Sequence, residues 1–256
     1  MIFLKIFRIL NEEGIKGFYQ RLRMRFLYII KPKITKSAYG VKLYSNWGDA
    51  TFNLCLSGTY GYFFSDFLKN ISKPYNFIDI GANQGIYSLV AAKNKNFKKI
   101  YSFEPVTENF KLLKKNIKLN NLNNVISKKF AISDKNAVNY ISYNKEHSGS
   151  SSLEIKKKYS KKLVKINTIN YTKLKKFINL KNPLIVKIDV EGHESVVIDQ
   201  LIKSNLMKNV EFIYVEIDFK INTIGKIKNK IKKFNYVDVY RSKTINYHSD
   251  FLFKKR

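Results

Sequence analysis

Cysteine, histidine and arginine are all scarce in this chain of 256 residues, and each shortage closes off a class of chemistry. A single cysteine, Cys55, forbids any intramolecular disulfide, and with only His147, His193 and His248 no Cys/His cluster has zinc spacing. Both shortages fit a reducing cytoplasm. Cys55 sits between Leu54 and Leu56, so it reads as a buried thiol rather than a nucleophile. Acidic residues are also few, 19 against 48 lysines and arginines, leaving a formal charge of +29. That imbalance raises nucleic acid, anionic membranes and phosphorylated substrates as partners. Yet Lys, Asn, Ile, Tyr and Phe abound while Arg is rare, the pattern of an AT-rich coding sequence, and a Lys-rich solvated surface is the plainer reading. No long apolar run is present either. Lys5, Arg8, Glu12, Glu13 and Lys16 interrupt the apolar N-terminus, and residues 50–65 carry Asn53, Ser57, Gly58, Thr59 and Gly61, so neither stretch reads as a signal peptide or a membrane span. The expectation is a soluble cytoplasmic protein, with peripheral attachment to the inner face of an anionic membrane left open.

What is present is ample core material, 45% hydrophobic and 14% aromatic residues spread along the chain, without an internal repeat or long low-complexity tract. Residues 1 to about 30 read as one or two amphipathic helices, with Ile2, Phe3, Ile6, Ile9 and Leu10 at helical spacing. Residues 34–73 form a mixed segment, so residues 1–73 are taken as an N-terminal extension and residues 74–256 as the main domain. From Pro74 onward, short apolar runs alternate with helical patterns, the signature of βαβ units and a mainly parallel sheet. The patterns place strands near 75–80, 99–103, 125–130, 184–189, 210–217, 235–240 and 245–253. Helices fall near 85–94, 107–120, 193–204 and 220–233. Residues 131–183 break the alternation with two added strands, 137–142 and 163–169, joined by a polar stretch containing HSGSSSLE. This insertion is expected over the carboxyl ends of the parallel strands, where open α/β sheets bind ligands.

The first strand runs into Asp79-Ile80-Gly81-Ala82-Asn83-Gln84-Gly85 and then directly into a helical run. Gly81 and Gly85 permit a tight turn and close backbone approach, and the helix start offers free N–H groups. A dinucleotide fingerprint would need a second glycine where Asn83 stands. The Asp79 carboxylate also suits a cationic ligand better than a pyrophosphate. The second strand ends at Glu104, an acid able to accept hydrogen bonds from both hydroxyls of a ribose.

Together FIDIGANQGIYS, FEPVTENFKLLKKNIKLN and VKIDVEGHE resemble the three signature blocks of the FkbM family of methyltransferases, in that family's order and spacing. With AISDKNAV and SGSSSLE the resemblance covers roughly residues 75–217. It implies the class I methyltransferase fold, an α/β Rossmann-like, seven-stranded, mostly parallel sheet with helices on both faces and a final antiparallel strand. It also implies S-adenosylmethionine as cofactor and methylation of hydroxyl groups, often on sugars of surface polysaccharides, glycolipids or natural products. Carried over by position, Asp79, Gly81, Asn83 and Gly85 would surround the methionine part, Glu104 the ribose, and Ala131, Ser133 and Asp134 the adenine edge. Two positions depart from the pattern: Thr107 replaces the usual proline, and Asn170-Tyr171 stands where the family usually has paired aspartates.

The fourth strand, LIVKID, delivers Asp189 to the same edge, and Val190-Glu191-Gly192-His193-Glu194 turns into the next helix. Asp189 therefore counts as cofactor-binding and as catalytic, since a carboxylate ending an apolar strand needs a partner. Methyl transfer to a hydroxyl requires proton removal as attack develops. His193, the side-chain type that titrates near neutrality, is the first candidate base, followed by Glu191 or Glu194. Glu216 and Asp218 end the next strand, and with Asp189 they supply oxygen ligands suited to Mg²⁺ or Mn²⁺. The leading expectation is an O-methyltransferase acting on a nucleotide-activated sugar, GDP-heptose-like, or on a capsular or other surface polysaccharide. Arg21, Arg23 and Arg25 are notable where Arg is rare. A nucleic-acid methyltransferase would use the charge, but the sequence has no Asn-Pro-Pro-Tyr-like block and no recognised RNA-binding module, so no specific nucleic-acid partner is expected. A non-catalytic membrane- or partner-binding module is the third reading. Oligomeric state is not legible.

Overall fold

The computed structural model describes residues 15, 18–59, 61–153, 162–219, 224–244 and 247–256. The helical pattern read over residues 1–14 and Glu154 of the polar stretch lie outside them. Helix α1 spans residues 18–30 and leads into a hairpin of β1 (Ile34–Lys36) and β2 (Lys42–Tyr44), followed by α2 (Ala50–Ser57) and α3 (Tyr62–Lys69). The chain then runs β3 (Tyr75–Ile80), α4 (Ile86–Lys93), β4 (Phe97–Phe103), α5 (Thr107–Leu119) and β5 (Val125–Lys128). Next come β6 (Ala131–Ile132), β7 (Ala137–Tyr143), β8 (Lys162–Ile169) and α6 (Tyr171–Phe177). The last part is β9 (Leu184–Ile188), α7 (Glu194–Lys203), β10 (Val210–Asp218), α8 (Ile224–Ile231), β11 (Tyr236–Arg241) and β12 (His248–Lys255).

The main sheet has seven strands in the order β11-β12-β10-β9-β3-β4-β5, with β12 antiparallel to both of its neighbours. Seven mostly parallel strands with an antiparallel last strand are what the family resemblance implied. β3 lies inside the sheet, paired with β4 on one side and β9 on the other, and all six of its residues are accordingly buried. The two faces sort by the strand's period of two. Ile78, Tyr101, Val186 and Ile213 enter a core shared with α6, α7 and α8. Their neighbours Phe77, Ile100, Ile185 and Tyr214 enter a second core with α2, α3 and α4.

That second core crosses the boundary placed at residue 73. Val41, Leu43, Phe52, Leu56, Phe64 and Leu68, all from residues 34–73, are among its fully buried members. Phe64 stacks on Tyr214 of β10 with ring centres 3.9 Å apart and meets Tyr87 of α4 edge-on at 5.2 Å. The mixed segment is thus a hairpin and two helices. The hairpin is tied to α5 by Asn116, whose Oδ1 accepts from Tyr44 N at 2.8 Å, and by Asn120, which bonds Lys42 N and O.

The insertion holds the two added strands, antiparallel to each other, together with the short β6, which pairs parallel with β8, and the helix α6. Asn170, one of the departures from the family pattern, starts α6 by accepting from Thr172 N, and its side chain also accepts from Asn136.

Because Phe64 joins the extension to the sheet, Phe64→Ala is expected to cost about 3–5 kcal/mol. It should lower the urea midpoint of one cooperative transition followed by both tryptophan fluorescence and far-UV dichroism. Two separated transitions in the wild-type chain would contradict a shared core.

Candidate active site

The turn after β3 is built from left-handed residues. Gly81, Asn83 and Gly85 have φ of 80°, 51° and 93°. Asparagine is the residue after glycine that best tolerates this region, which explains how Asn83 can stand in a glycine's place. Its carboxamide also works locally: Oδ1 accepts from Gln84 N at 2.7 Å and Nδ2 donates to Ser148 Oγ at 3.0 Å. Gly81 is required for another reason. A Cβ there would lie 1.9 Å from the carbonyl oxygen of Asp189, so the turn packs directly on the end of β9. Gly85 leaves room for Leu113 of α5, which a Cβ would meet at 2.3 Å.

Lys187, in the middle of β9, fastens these two strand ends together. Its side chain is only 2% exposed, and Nζ donates to Gly81 O at 2.7 Å while lying 3.3 Å from both Asp79 Oδ1 and Asp189 Oδ2. It also lies over the Tyr87 ring. Burial pulls its pKa down, but the two carboxylates outweigh that and leave it above the usual lysine value. Asp79 is fully buried and accepts from Ser88 Oγ at 2.6 Å as well. Sequence reasoning missed Lys187, although a lysine inside the apolar run LIVKID was a visible signal.

A cavity of about 630 Å³, counting its open mouth, lies over the carboxyl ends of β3, β4 and β9. Of the residues singled out from sequence, Gly81, Asn83, Glu104, Ala131, Asp189, Glu191 and His193 line it. Asp79, Gly85, Ser133 and Asp134 do not. Asp79 is buried and linked through Lys187 to the cavity-lining Asp189, Asp134 is exposed, and Ser133 stands behind His193 with Oγ 3.1 Å from Nε2. The opposite wall is the turn of the insertion. Ser148 is buried and donates through N and Oγ to the carboxylate of Asp49, which also caps α2 through Thr51 N. The wall is therefore anchored by the N-terminal segment, a link sequence reasoning did not anticipate.

Glu104 receives Asn83 N at 2.8 Å and Val106 N at 2.9 Å, one on each oxygen. Burial nevertheless raises its pKa to about 7, because desolvation outweighs those bonds. Glu191 holds a left-handed φ of 53°, followed by Gly192 at 105°, and the Glu194 carboxylate closes this turn by accepting from Gly192 N at 2.8 Å. Burial first, then the nearby charges of Asp189 and Glu216, push Glu191 far above the ordinary carboxylate range. Glu216 is raised by burial and by Asp189. His248, 3.3 Å away, is raised chiefly by its hydrogen bond to Glu216. The metal-binding set expected from Asp189, Glu216 and Asp218 is not assembled: Lys187 engages Asp189 and His248 engages Glu216. Among the described residues no three His, Cys, Asp or Glu side chains are grouped to hold a metal ion.

A mixed sheet of this order, with its cavity above the central strand and the strands flanking it, has the fold of a class I methyltransferase. The chain matches the methyltransferase FkbM domain over residues 79–237, more than half its length, and belongs to that family. No curated protein matches it. Among solved structures it is similar to a complex of aTrm5 with tRNALeu, at 19% identity over 87% of this chain and 52% of that one, with a TM-score of 0.49. It is also similar to the M. jannaschii tRNA m1G37 methyltransferase, at 17% identity, 87% and 54% coverage and a TM-score of 0.46. A third is the ribosomal protein L11 methylase of Lactobacillus delbrueckii subsp. bulgaricus, at 12%, 75%, 77% and 0.44. The chain spans about half the length of the first two.

Lys187→Met would leave Asp79 and Asp189 buried without their cation, a loss of about 3–5 kcal/mol at neutral pH. Since the folded pKa of Lys187 lies above 10.5, its contribution is complete below that value and fades as pH rises beyond it. In the variant the deficit should instead shrink on acidification, as the orphaned carboxylates take up protons. Urea titrations at pH 5, 7 and 9 test this; a deficit independent of pH would refute the pairing.

Proposed function

We propose that this protein is an S-adenosylmethionine-dependent O-methyltransferase acting on a hydroxyl of a carbohydrate, in the form of a nucleotide-activated sugar or a surface polysaccharide. The single observation that carries the reading is the cavity itself, in which Glu104, Asp189, Glu191 and His193 converge over the glycine turn of a chain from the FkbM methyltransferase family.

The residues present fit the cofactor. Three carboxyl groups on one wall favour a ligand with a sulfonium and an ammonium group, and Phe130, Ile141 and Leu153 give the cavity an apolar part suited to a purine. S-adenosylmethionine would supply the electrophilic methyl group. Glu104 is placed to accept from ribose hydroxyls, a task that favours its ionised form. Lys187 holds the turn against β9 and keeps Asp189 in place. His193 opens α7 at the cavity wall, and its contact with Ser133 fixes the ring for taking the acceptor's proton. Glu191 serves less well as the base, because burial keeps its proton on. The strand-end sequence Asp189-Val190-Glu191 offers no amide with adjacent prolines of the kind used in amino-group methylation, which supports a hydroxyl acceptor. The formal charge of +29 is compatible with a sugar diphosphate. The same charge is the observation that favours a second reading, an RNA methyltransferase.

Glu104→Ala is expected to weaken S-adenosylmethionine binding by about tenfold to a hundredfold, the worth of hydrogen bonds to a charged acceptor of about 1.5–3 kcal/mol. Because Glu104 is raised to about 7 in the free protein and favours its ionised form with ligand, wild-type affinity should climb as pH rises from 5 to 7, with proton release seen by calorimetry in buffers of different ionisation enthalpy. Unchanged affinity in both Glu104→Ala and Asp79→Ala would show that the cofactor binds elsewhere.

His193→Ala should reduce kcat by about 10²–10⁴ with little change in cofactor affinity and should remove the acidic limb of the rate profile. The assay is cofactor-dependent mass gain of one methyl group across a panel of sugar nucleotides, glycans and RNAs. Methylation confined to RNA would favour the second reading. Full activity of the variant would remove His193 from the mechanism.

A further inference from the structure

Helix α1 has two unlike faces. Gln20 and Arg23 face the body and donate to carbonyl groups of α2, with Arg23 also donating to Lys36 O, while Met24 and Leu27 pack against the second core. On the other side Tyr19, Leu22, Phe26 and Ile29 recur at intervals of three and four, which stacks them in one stripe along the helix. All four are exposed: 67% for Tyr19, 62% for Phe26 and 82% for Ile29. A large apolar stripe turned to water is the feature of this surface that requires an explanation.

The charge around the stripe indicates what covers it. Arg21 and Arg25 are exposed and lie along one border, and Lys31 and Lys33 follow the helix at its end. No aspartate or glutamate occurs from residue 18 to residue 36. Two copies of such a helix placed stripe to stripe would bring like charges together, which disfavours self-pairing. The described part of α1, residues 18–30, is about 20 Å long, and no described helix is long and apolar enough to cross a membrane. An aromatic and aliphatic stripe bordered by arginines fits a helix lying in the plane of an anionic bilayer.

We propose that α1 docks this protein on an anionic lipid surface, with Tyr19, Leu22, Phe26 and Ile29 entering the headgroup region and Arg21 and Arg25 meeting lipid phosphates. The inference does not depend on the catalytic reading, since none of these residues lines the cavity.

The test is co-sedimentation of the full chain with vesicles of phosphatidylcholine containing 30% phosphatidylglycerol, and with vesicles of phosphatidylcholine alone. Binding is expected only to the anionic vesicles. It should fall at least tenfold in Phe26→Glu/Ile29→Glu, several-fold in Arg21→Glu/Arg25→Glu, and markedly on raising salt to 0.5 M. Because all four substituted residues are exposed, the variants should melt within a few degrees of wild type, which dichroism checks. Leu22→Ser is a milder second probe if either variant does not fold. Failure of the wild-type chain to bind anionic vesicles would overturn the proposal, as would binding that survives both double substitutions. A stable dimer in light scattering that Phe26→Glu/Ile29→Glu dissolves, without vesicle binding, would assign the stripe to a second copy instead.

Discussion

The contact on which the site depends is the one between Lys187 and its three oxygens. A lysine in the middle of a buried strand is tolerable only if its charge is matched on the spot, and here Asp79 and Asp189 match it while Gly81 O takes one of its protons. The consequence is geometric as well as electrostatic. β3 and β9 are neighbours by backbone pairing, but pairing alone leaves their ends free to splay. The ammonium group draws the turn after β3 onto the end of β9 so closely that Gly81 has no room for a side chain. Everything around the cavity is then referenced to that junction: the turn presents Asn83 N to Glu104, and the β9 end passes directly into the Glu191-Gly192 turn and the start of α7.

With one cation consumed by two carboxylates, the remaining acids near the cavity are left short of positive charge. Glu104, Glu191 and Glu216 are all raised, each chiefly by burial. The chain is heavily basic overall, whereas the cavity lining holds Glu104, Asp189 and Glu191 and no lysine or arginine. A cation entering the cavity would relieve an electrostatic imbalance that the fold maintains without it.

Much of this was legible in the sequence, for reasons that differ by element. β3, β4 and β9 read well because strands buried on both faces are continuous apolar runs, and their ends at Asp79, Glu104 and Asp189 are where polarity returns. The turn residues read well because glycine and asparagine mark left-handed backbone. β1 and β2, three residues each, were illegible because such a length shows no periodicity, and α6 was hidden by its seven residues for the same reason. Lys187 does not stand out in a lysine-rich chain; its role depends on Asp79, in a strand far away in sequence. The metal set is unassembled for a related reason: Asp189 pairs with Lys187 and Glu216 with His248, contacts that no strand pattern displays. Asp49, which ties α2 to the turn at Ser148, had no local signature beyond that of an ordinary helix cap.

The family signature begins at Asp79 and ends at residue 237, and those limits cut through β3 and β11. They also omit β12, which lies between β10 and β11 and, among the described residues, is the strand that joins β11 to the sheet. On the other side they omit Phe52, Leu56, Phe64 and Leu68, without which Phe77, Ile185 and Tyr214 would face water. The stretch of chain that carries the inherited signature and the stretch that can fold are therefore of different lengths. What the flanking segments must do is cover that face, a demand on packing rather than on the signature residues. The exposed side of α1 belongs to one of those ends and lies apart from the cavity lining.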